Sequence, residues 1–249
     1  MSWVCVVPVK GSAGAKSRLG ALPETFPARG ELAEVFALDT VAALLAAAMV
    51  ERVLVVTADP AAAAPLAALG AQIVPELPHK DPSGPAKGHV AATREIGSVD
   101  VPQKDPSAPP TGDIAAPRDP LNAAIAEGIR VAHHTYPLCN VAVLTGDLPA
   151  LTVADVETTL TAATAHDLAM VADEEGTGTT TLLARAGIAL TPRFGLGSRA
   201  AHEAAGHVPL DLPATASIRR DVDTVDNLAE VLHRGVGAHT SALIARSQQ

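Results

Sequence analysis

The chain opens with the apolar run WVCVVPV (3–9), which leads directly into the small-residue loop KGSAGAKSRL (10–19). Such a run is typical of a buried strand, and α/β proteins bind phosphate-rich ligands at the carboxyl ends of these strands. Glycines let backbone N–H groups approach anionic oxygens, while Lys10, Lys16 and Arg18 supply positive charge. The segment therefore predicts an α/β fold with a nucleotide site, and an ordinary strand-to-helix loop is the alternative.

Spacing excludes two better-known phosphate loops. A P-loop requires G-x-x-x-x-G-K-[ST], whereas here Ala15 precedes Lys16 and Lys10 stands where the first glycine would be. The dinucleotide fingerprint G-x-G-x-x-G is also absent from this loop. The sequence therefore disfavours a P-loop GTPase and a dinucleotide-binding enzyme.

Composition narrows the class of protein further. The 249 residues carry a net charge of −9 and only 2% aromatic residues, which argues against a nucleic-acid surface and predicts a core of Val, Leu, Ile and Ala. No apolar run reaches the roughly 18 residues of a membrane span, and the chain enters a strand without a signal peptide. Cys5 and Cys139 lie in apolar runs and are expected to be buried free thiols. We expect a cytoplasmic enzyme that binds neither membranes nor nucleic acid.

Strand and helix patterns alternate along the chain, which predicts a doubly wound, mostly parallel sheet. The predicted strands are 3–9, 52–57, 71–74, 139–145, 168–172, 180–184 and 218–222, and the predicted helices are 30–49, 60–69, 121–134, 152–165, 198–205 and 224–233. We expect one domain over 1–235 and a tail or helix over 236–249. A proline-rich insertion at 77–118 interrupts the pattern; we expect a surface excursion, partly disordered, with a short helix around 86–96, and a lid over the nucleotide is the alternative.

Three aspartates predict a metal site at the carboxyl edge of the sheet. Asp147 follows the apolar run of VAVLTGDLPAL (141–151), and Asp221 and Asp223 alternate in RDVDT (220–224), which places both on one face of an extended segment. Oxygen ligands of this kind suit Mg²⁺ bound together with substrate phosphates. The alternatives are a turn-capping role for Asp147 and a helix N-cap role for Asp223.

Two further segments predict a site for an anion. In RFGLGS (193–198), a glycine-rich turn leads into a helix that begins near Ser198, where exposed N–H groups and a hydroxyl favour a phosphate or carboxylate. In DEEGTGTT (173–180), threonine hydroxyls beside glycines could line a pocket. Simple helix capping and an ordinary hairpin turn are the respective alternatives.

Six motifs in order resemble one known family. VPVKGSAGAKSRL, DPLNAAIAEG, TGDLPAL, GTGTTTLLA, RFGLGS and RRDVDT are similar to the CofC/FbiD guanylyltransferases of coenzyme F-420 biosynthesis, over nearly the whole chain except the insertion. The resemblance implies a MobA-like nucleotidyltransferase fold, of the nucleotide-diphospho-sugar transferase type. It also implies transfer of GMP from GTP to phosphoenolpyruvate or 2-phospho-L-lactate, with release of pyrophosphate. We favour phosphoenolpyruvate because the alanine-rich composition resembles actinobacterial members.

The resemblance also assigns residues to roles. It implies that Asp147, Asp221 and Asp223 bind Mg²⁺ and that Thr179, Gly195 and Ser198 hold phosphoenolpyruvate. It implies a GTP site at Lys10, Gly11, Lys16, Arg18 and Asn122, with Lys16, Arg18 and Asp147 as the catalytic residues. The long insertion departs from the short connection usual in the family.

Other functions remain open from the sequence. The nearest is another nucleotidyltransferase of the same fold, of the molybdenum-cofactor or sugar-phosphate type, whose first loop resembles L-x-G-G-x-[GS]-x-R rather than the VKGSAGAKSR at 9–18. A non-catalytic nucleotide-binding protein is an alternative of a different class, which the three aspartates disfavour. The sequence does not determine the oligomeric state and is compatible with a homodimer.

Overall fold

The computed structural model describes residues 1–10, 19, 22, 26–76 and 119–247. Three residues predicted to contact GTP, Gly11, Lys16 and Arg18, lie outside these ranges. The proline-rich insertion at 77–118, with its predicted short helix, lies outside them as well.

In the described part of the chain, seven strands form one sheet in the order β3-β2-β1-β4-β6-β5-β7. The strands are β1 (Trp3–Pro8), β2 (Val50–Thr57), β3 (Gln72–Pro75), β4 (Asn140–Leu144), β5 (Leu168–Ala172), β6 (Thr179–Ala184) and β7 (Val208–Pro209). Every pairing is parallel except the two made by β6, which runs antiparallel to β4 and β5. This confirms the mostly parallel sheet. Because β6 is reversed, its first residue lies at the edge where the other strands end.

Helices cover both faces of this sheet. They are α1 (Arg29–Ala46), α2 (Pro60–Leu69), α3 (Pro120–Thr135), α4 (Val153–Ala163), α5 (Ser198–Ala204), α6 (Val225–Arg234) and α7 (Ala238–Ser247). Apolar side chains of α1, α2 and α4 form one core with one face of β1, whereas those of α3 form a second core with the other face. The doubly wound architecture is therefore confirmed. None of the helices in the described ranges has the length and apolar character of a membrane span.

Strand β1 shows why the opening run decides the fold. Cys5 and Val7 point into the first core and Val4 and Val6 into the second, as the two-residue period of a strand requires. A strand buried on both faces needs an uninterrupted apolar sequence. Burial raises the pKa of the Cys5 thiol to about 12. Both cysteines are free, as expected, but the expected burial of Cys139 is wrong, because this residue lies just before β4 and is only partly buried.

A third core joins the last two helices to α1. Phe36 of α1 packs in one cluster with Leu228 of α6 and Leu243 of α7. The buried carboxylate of Asp39 accepts hydrogen bonds from the backbone N–H groups of His239 (2.9 Å) and Thr240 (2.9 Å), so a side chain of α1 caps the start of α7. The predicted tail or helix after residue 235 is thus a docked helix over Ala238–Ser247.

One predicted strand is wrong. Residues 218–222 do not join the sheet; the chain makes a 3-10 turn over Ser217–Arg219 and then continues irregularly. A side chain binds this backbone where a neighbouring strand would otherwise pair with it: the hydroxyl of Thr180 donates to the carbonyl of Ile218 (2.7 Å). Strand β7 was not predicted from the sequence, since its two residues carry no periodic signal.

Candidate active site

A cleft of about 520 Å³ opens at the carboxyl edge of β1 and β4. It is bounded by the end of β1, the Gly146–Asp147 turn after β4, the turn before β6, the loop before α5 and the segment before α6. Of the predicted site residues that the structure describes, those lining the cleft are Lys10, Asp147, Thr179, Gly195, Ser198, Asp221 and Asp223. The edge of the sheet chosen from the sequence is therefore where these side chains meet.

The three aspartates come together in this cleft. Each of Asp147, Asp221 and Asp223 is half-buried and offers a carboxylate oxygen, and these oxygens lie within 4.8 Å of one another. Three carboxylates at this separation repel one another unless a cation neutralises them. The arrangement can therefore hold a divalent cation that prefers oxygen ligands.

The turn after β4 is placed by its close fit to the sheet and to α1. A side chain at Gly146 would put its Cβ 3.0 Å from the carbonyl oxygen of Pro8, so the turn packs tightly against the end of β1. The backbone N–H of Leu148 donates to the buried hydroxyl of Thr40 (3.1 Å). These contacts hold Asp147 between β1 and α1.

The segment that carries Asp221 and Asp223 is held at both ends. The carboxylate of Asp155 in α4 accepts hydrogen bonds from both the backbone N–H of Ser217 (2.8 Å) and its hydroxyl. The backbone N–H of Val222 donates to the carbonyl of Asp147 (3.1 Å), which ties the segment directly to the turn after β4.

Alternation around Val222 then turns the two aspartates toward the cleft. Val222 is fully buried in the third core, whereas its neighbours Asp221 and Asp223 line the cleft. Asp221 and Asp223 thus share one face, as predicted, although residues 218–222 do not form the predicted strand. The N-cap role for Asp223 is wrong, because Thr224 caps α6 by accepting the N–H of Asn227 (3.1 Å).

The loop before α5 depends on an amide from α3. Gly195 and Gly197 have φ angles of +130° and +70°, which favour glycine. Just before them, the side chain of Asn122 accepts the N–H of Phe194 (2.8 Å) and donates to its carbonyl (2.9 Å). The predicted GTP residue Asn122 is buried and holds this loop, and it does not line the cleft. Its contact with GTP stays a prediction.

The turn before β6 is closed by a buried carboxylate. Asp173 accepts the backbone N–H groups of Thr177 (2.9 Å) and Gly178 (2.7 Å). A Cβ at Gly178 would lie 2.3 Å from the Asp173 oxygen, so a larger residue there would displace the carboxylate that closes the turn. The guanidinium of Arg199 donates to the carbonyl of Gly176 (3.0 Å) and links this turn to α5. The two segments predicted to bind an anion are therefore neighbours.

Thr179 begins β6 and contacts a histidine that the sequence analysis missed. Its hydroxyl lies 3.0 Å from Nδ1 of His202, and the Nε2 atom of the same ring accepts the backbone N–H of Arg193 (2.9 Å). Burial, followed by the nearby His207 and Arg193, lowers the pKa of His202 to about 4. One sequence signal was available: His202 follows Ser198 by four positions in a predicted helix, which places both on one side.

The fold and this cleft define a class of protein. Residues 13–208 match the MobA-like NTP transferase domain family, which is more than half of the chain. Among solved structures, a cytidylyltransferase from Leptospira borgpetersenii serovar Hardjo-bovis (strain JB197) superimposes with a TM-score of 0.50 at 13% identity, covering 100% of this chain and 94% of that one. At this identity the likeness concerns the fold alone. The chain is thus a nucleotidyltransferase with the MobA-like fold.

Curated relatives narrow the class. The phosphoenolpyruvate guanylyltransferase of Streptomyces scabiei (strain 87.22) is 44% identical and covers 99% of this chain and 97% of its own. Its counterpart from Thermomonospora curvata is 38% identical and covers 99% and 90%. The chain belongs to the phosphoenolpyruvate guanylyltransferase family. The resemblance inferred from the six motifs is thereby confirmed.

Proposed function

We propose that this chain transfers GMP from GTP to the phosphate of phosphoenolpyruvate, giving enolpyruvoyl-2-diphospho-5'-guanosine and pyrophosphate. We place this reaction in coenzyme F-420 biosynthesis in the cytoplasm. The observation that carries the proposal is the meeting of three carboxylates and the loop before α5 in one cleft, in a chain 44% identical to a phosphoenolpyruvate guanylyltransferase.

The chemistry needs positioning more than proton transfer. A phosphate oxygen of the acid forms a bond to the α-phosphorus of GTP. The bond from the α-phosphorus to the oxygen that bridges it to the β-phosphorus breaks, and pyrophosphate leaves with that oxygen. A phosphate monoester has its second pKa near 6, so at neutral pH it is largely a dianion and needs no general base. The main obstacle is the repulsion between two polyanions, which fixed positive charges and N–H dipoles reduce.

The donor set fits Mg²⁺. Asp147, Asp221 and Asp223 contribute only carboxylate oxygens, the ligand type that this hard cation prefers. In the proposal these three residues hold the ion, which when bound neutralises charge on the phosphate oxygens. The link from Val222 to Asp147 keeps the two parts of the donor set together.

The two substrates occupy opposite sides of the carboxylates in this proposal. On the GTP side, exposed Lys10 lines the cleft, and the loop with Gly11, Lys16 and Arg18 follows it in the chain. On the acid side, the candidates are the hydroxyls of Thr179 and Ser198 and the backbone of Gly195, all in the cleft wall. Lys16, Arg18 and Asp147 remain the proposed catalytic residues.

The decisive experiment is pyrophosphate release from GTP and Mg²⁺ with phosphoenolpyruvate, with 2-phospho-L-lactate, or with no acid. Release with phosphoenolpyruvate alone supports the proposal. Release with 2-phospho-L-lactate alone would replace the acid and keep the chemistry. Release with neither acid would reject the function and direct the search to sugar phosphates.

Two variants and a matched control test the carboxylates. Asp221→Asn and Asp223→Asn should abolish turnover at saturating Mg²⁺, because each removes a negative ligand without changing the side-chain shape. Asp226→Asn makes the same change a few residues later, on the exposed first turn of α6, and should behave as wild type. Wild-type rates in both test variants would remove these aspartates from the metal site.

A further inference from the structure

A buried histidine stands directly behind the wall of the proposed acid site. His202 has no exposed surface, and its ring lies between the hydroxyl of Thr179 and the backbone of Arg193. Thr179 lines the cleft, whereas His202 does not. His202 can therefore act on a ligand only through its neighbours, which are Thr179 and the loop of Arg193 and Phe194.

The contacts determine which ring nitrogen carries the proton. A backbone N–H can only donate, so Nε2 of His202 must accept from Arg193 and carries no hydrogen itself. A neutral imidazole has one N–H, which must then be on Nδ1. That proton lies on the side facing the Thr179 oxygen, 3.0 Å away. His202 is thus the donor and Thr179 the acceptor in this hydrogen bond.

The surroundings keep the ring neutral. The groups that face His202 are the edge-on rings of Phe194 and His207, with centroids 5.3 Å and 5.4 Å away, and Arg193. Loss of hydration on burial is the main reason that the pKa of His202 falls to about 4, and the positive charges of His207 and Arg193 lower it further. At neutral pH the ring therefore remains a donor to Thr179.

We propose that His202 is a positioning residue that fixes the Thr179 hydroxyl as a hydrogen-bond donor to the acidic substrate. This inference rests on the proposed function. Because the oxygen of Thr179 accepts from His202, its own hydrogen is directed to a different acceptor, and the cleft is the open side of this residue. A carboxylate or phosphate offers only acceptors at neutral pH. A fixed donor therefore favours an anion over a neutral or donating group at this position.

Two substitutions separate the two ends of the ring. In His202→Asn, the amide nitrogen takes the place of Nδ1 and can still donate to Thr179, but nothing reaches Arg193. In His202→Gln, the amide oxygen takes the place of Nε2 and can still accept from Arg193, but the donor to Thr179 is lost. Both variants remove the ring from the same buried position, so each serves as the packing control for the other.

We expect His202→Gln to raise the KM for phosphoenolpyruvate about tenfold relative to His202→Asn, the effect of losing about one hydrogen bond. The KM for GTP should be the same in both variants. Thr179→Val should raise the acid KM as well, and adding His202→Gln to it should have no further effect. Equal acid KM values in the Asn and Gln variants, or equal changes for both substrates, would overturn the role of His202.

The tautomer has a direct readout that needs no turnover. In ¹⁵N-labelled wild-type protein at neutral pH, Nδ1 of His202 should show the shift of a protonated ring nitrogen and Nε2 that of an unprotonated one. The reverse pattern would overturn the inference even if the variants fail to fold. If the wild-type enzyme releases no pyrophosphate with either acid, the proposed function fails; if it does and the variants do not differ, only the role of His202 fails.

Discussion

Removing the Asp155 carboxylate should weaken metal binding at a distance, through the segment that carries Asp221 and Asp223. In Asp155→Ala the backbone N–H and the hydroxyl of Ser217 both lose their charged acceptor. The contacts of the segment with Thr180, Asp147 and Asp173 would remain, so its position would loosen at the Ser217 end. The aspartates keep their chemistry but lose part of their fixed geometry.

The magnitude follows from the two hydrogen bonds. Each bond to a charged group contributes about 1.5–3 kcal/mol, and water replaces part of this at a half-buried site, so we expect a loss of about 2–4 kcal/mol in the free energy of unfolding. Domains are stable by about 5–15 kcal/mol, so the variant should fold. Loss of groups that orient metal ligands typically weakens metal binding by about 10–100-fold, and we expect the low end because Asp155 acts through Ser217.

The assay is the Mg²⁺ concentration for half-maximal pyrophosphate release, measured beside the urea midpoint. Glu157→Ala is the matched control, because Glu157 lies two residues later in α4 and accepts a backbone N–H from Ala48, in a different loop. The control should leave the Mg²⁺ requirement unchanged. A destabilised Asp155→Ala enzyme with the Mg²⁺ requirement of wild type would refute the reasoning, since the anchor would then serve stability alone.

Three other predictions concern packing, pH and metal. Gly128→Ala places a methyl 2.4 Å from Val6 and 2.7 Å from Val56. Overpacking costs about 1–3 kcal/mol and the better helix propensity of alanine returns about 1 kcal/mol, so the urea midpoint of unfolding should fall. A rise in the midpoint would contradict the close fit of α3 against the sheet. In the folded protein the pKa of His202 is lowered from 6.5 to about 4, so the neutral ring stabilises the fold fully above pH 6.5. This contribution, about 3 kcal/mol in the free energy of unfolding, is lost as the pH falls toward 4. The melting temperature should therefore fall more steeply between these pH values in wild type than in His202→Asn. Excess EDTA should stop pyrophosphate release and added Mg²⁺ should restore it, whereas turnover that persists with EDTA would exclude the ion.

The sequence predicted the elements that depend on local pattern. The helix over 60–69 and the strand over 168–172 have the predicted bounds. Asp59 caps the start of the helix and Gly70 ends it in a left-handed conformation, whereas the strand is a short, continuous apolar run. The sheet edge of the site was also predictable, since ligands gather where parallel strands end. These features need only local sequence signals, such as capping residues and apolar runs, and a general rule of α/β folds.

What the sequence could not predict depends on contacts between distant residues. The segment at 217–223 alternates like a strand, yet side chains of Asp155 and Thr180 bind its backbone instead of a neighbouring strand. Asn122 looked available for a nucleotide, but its amide is used by Phe194, 72 residues later. His202 gave no signal beyond its helical spacing, because its significance lies in two partners on separate loops.

The reversal of β6 has a consequence for engineering the enzyme toward other acids. In a fully parallel sheet, a library would vary the turns that follow the strands. Here the turn that precedes β6, over 173–178, borders the cleft, and the turn after Ala184 faces the opposite rim. Directed evolution of acceptor choice should therefore vary the residues of the turn before β6. Asp173 and Gly178 should be kept, because the hydrogen bond between them closes this turn.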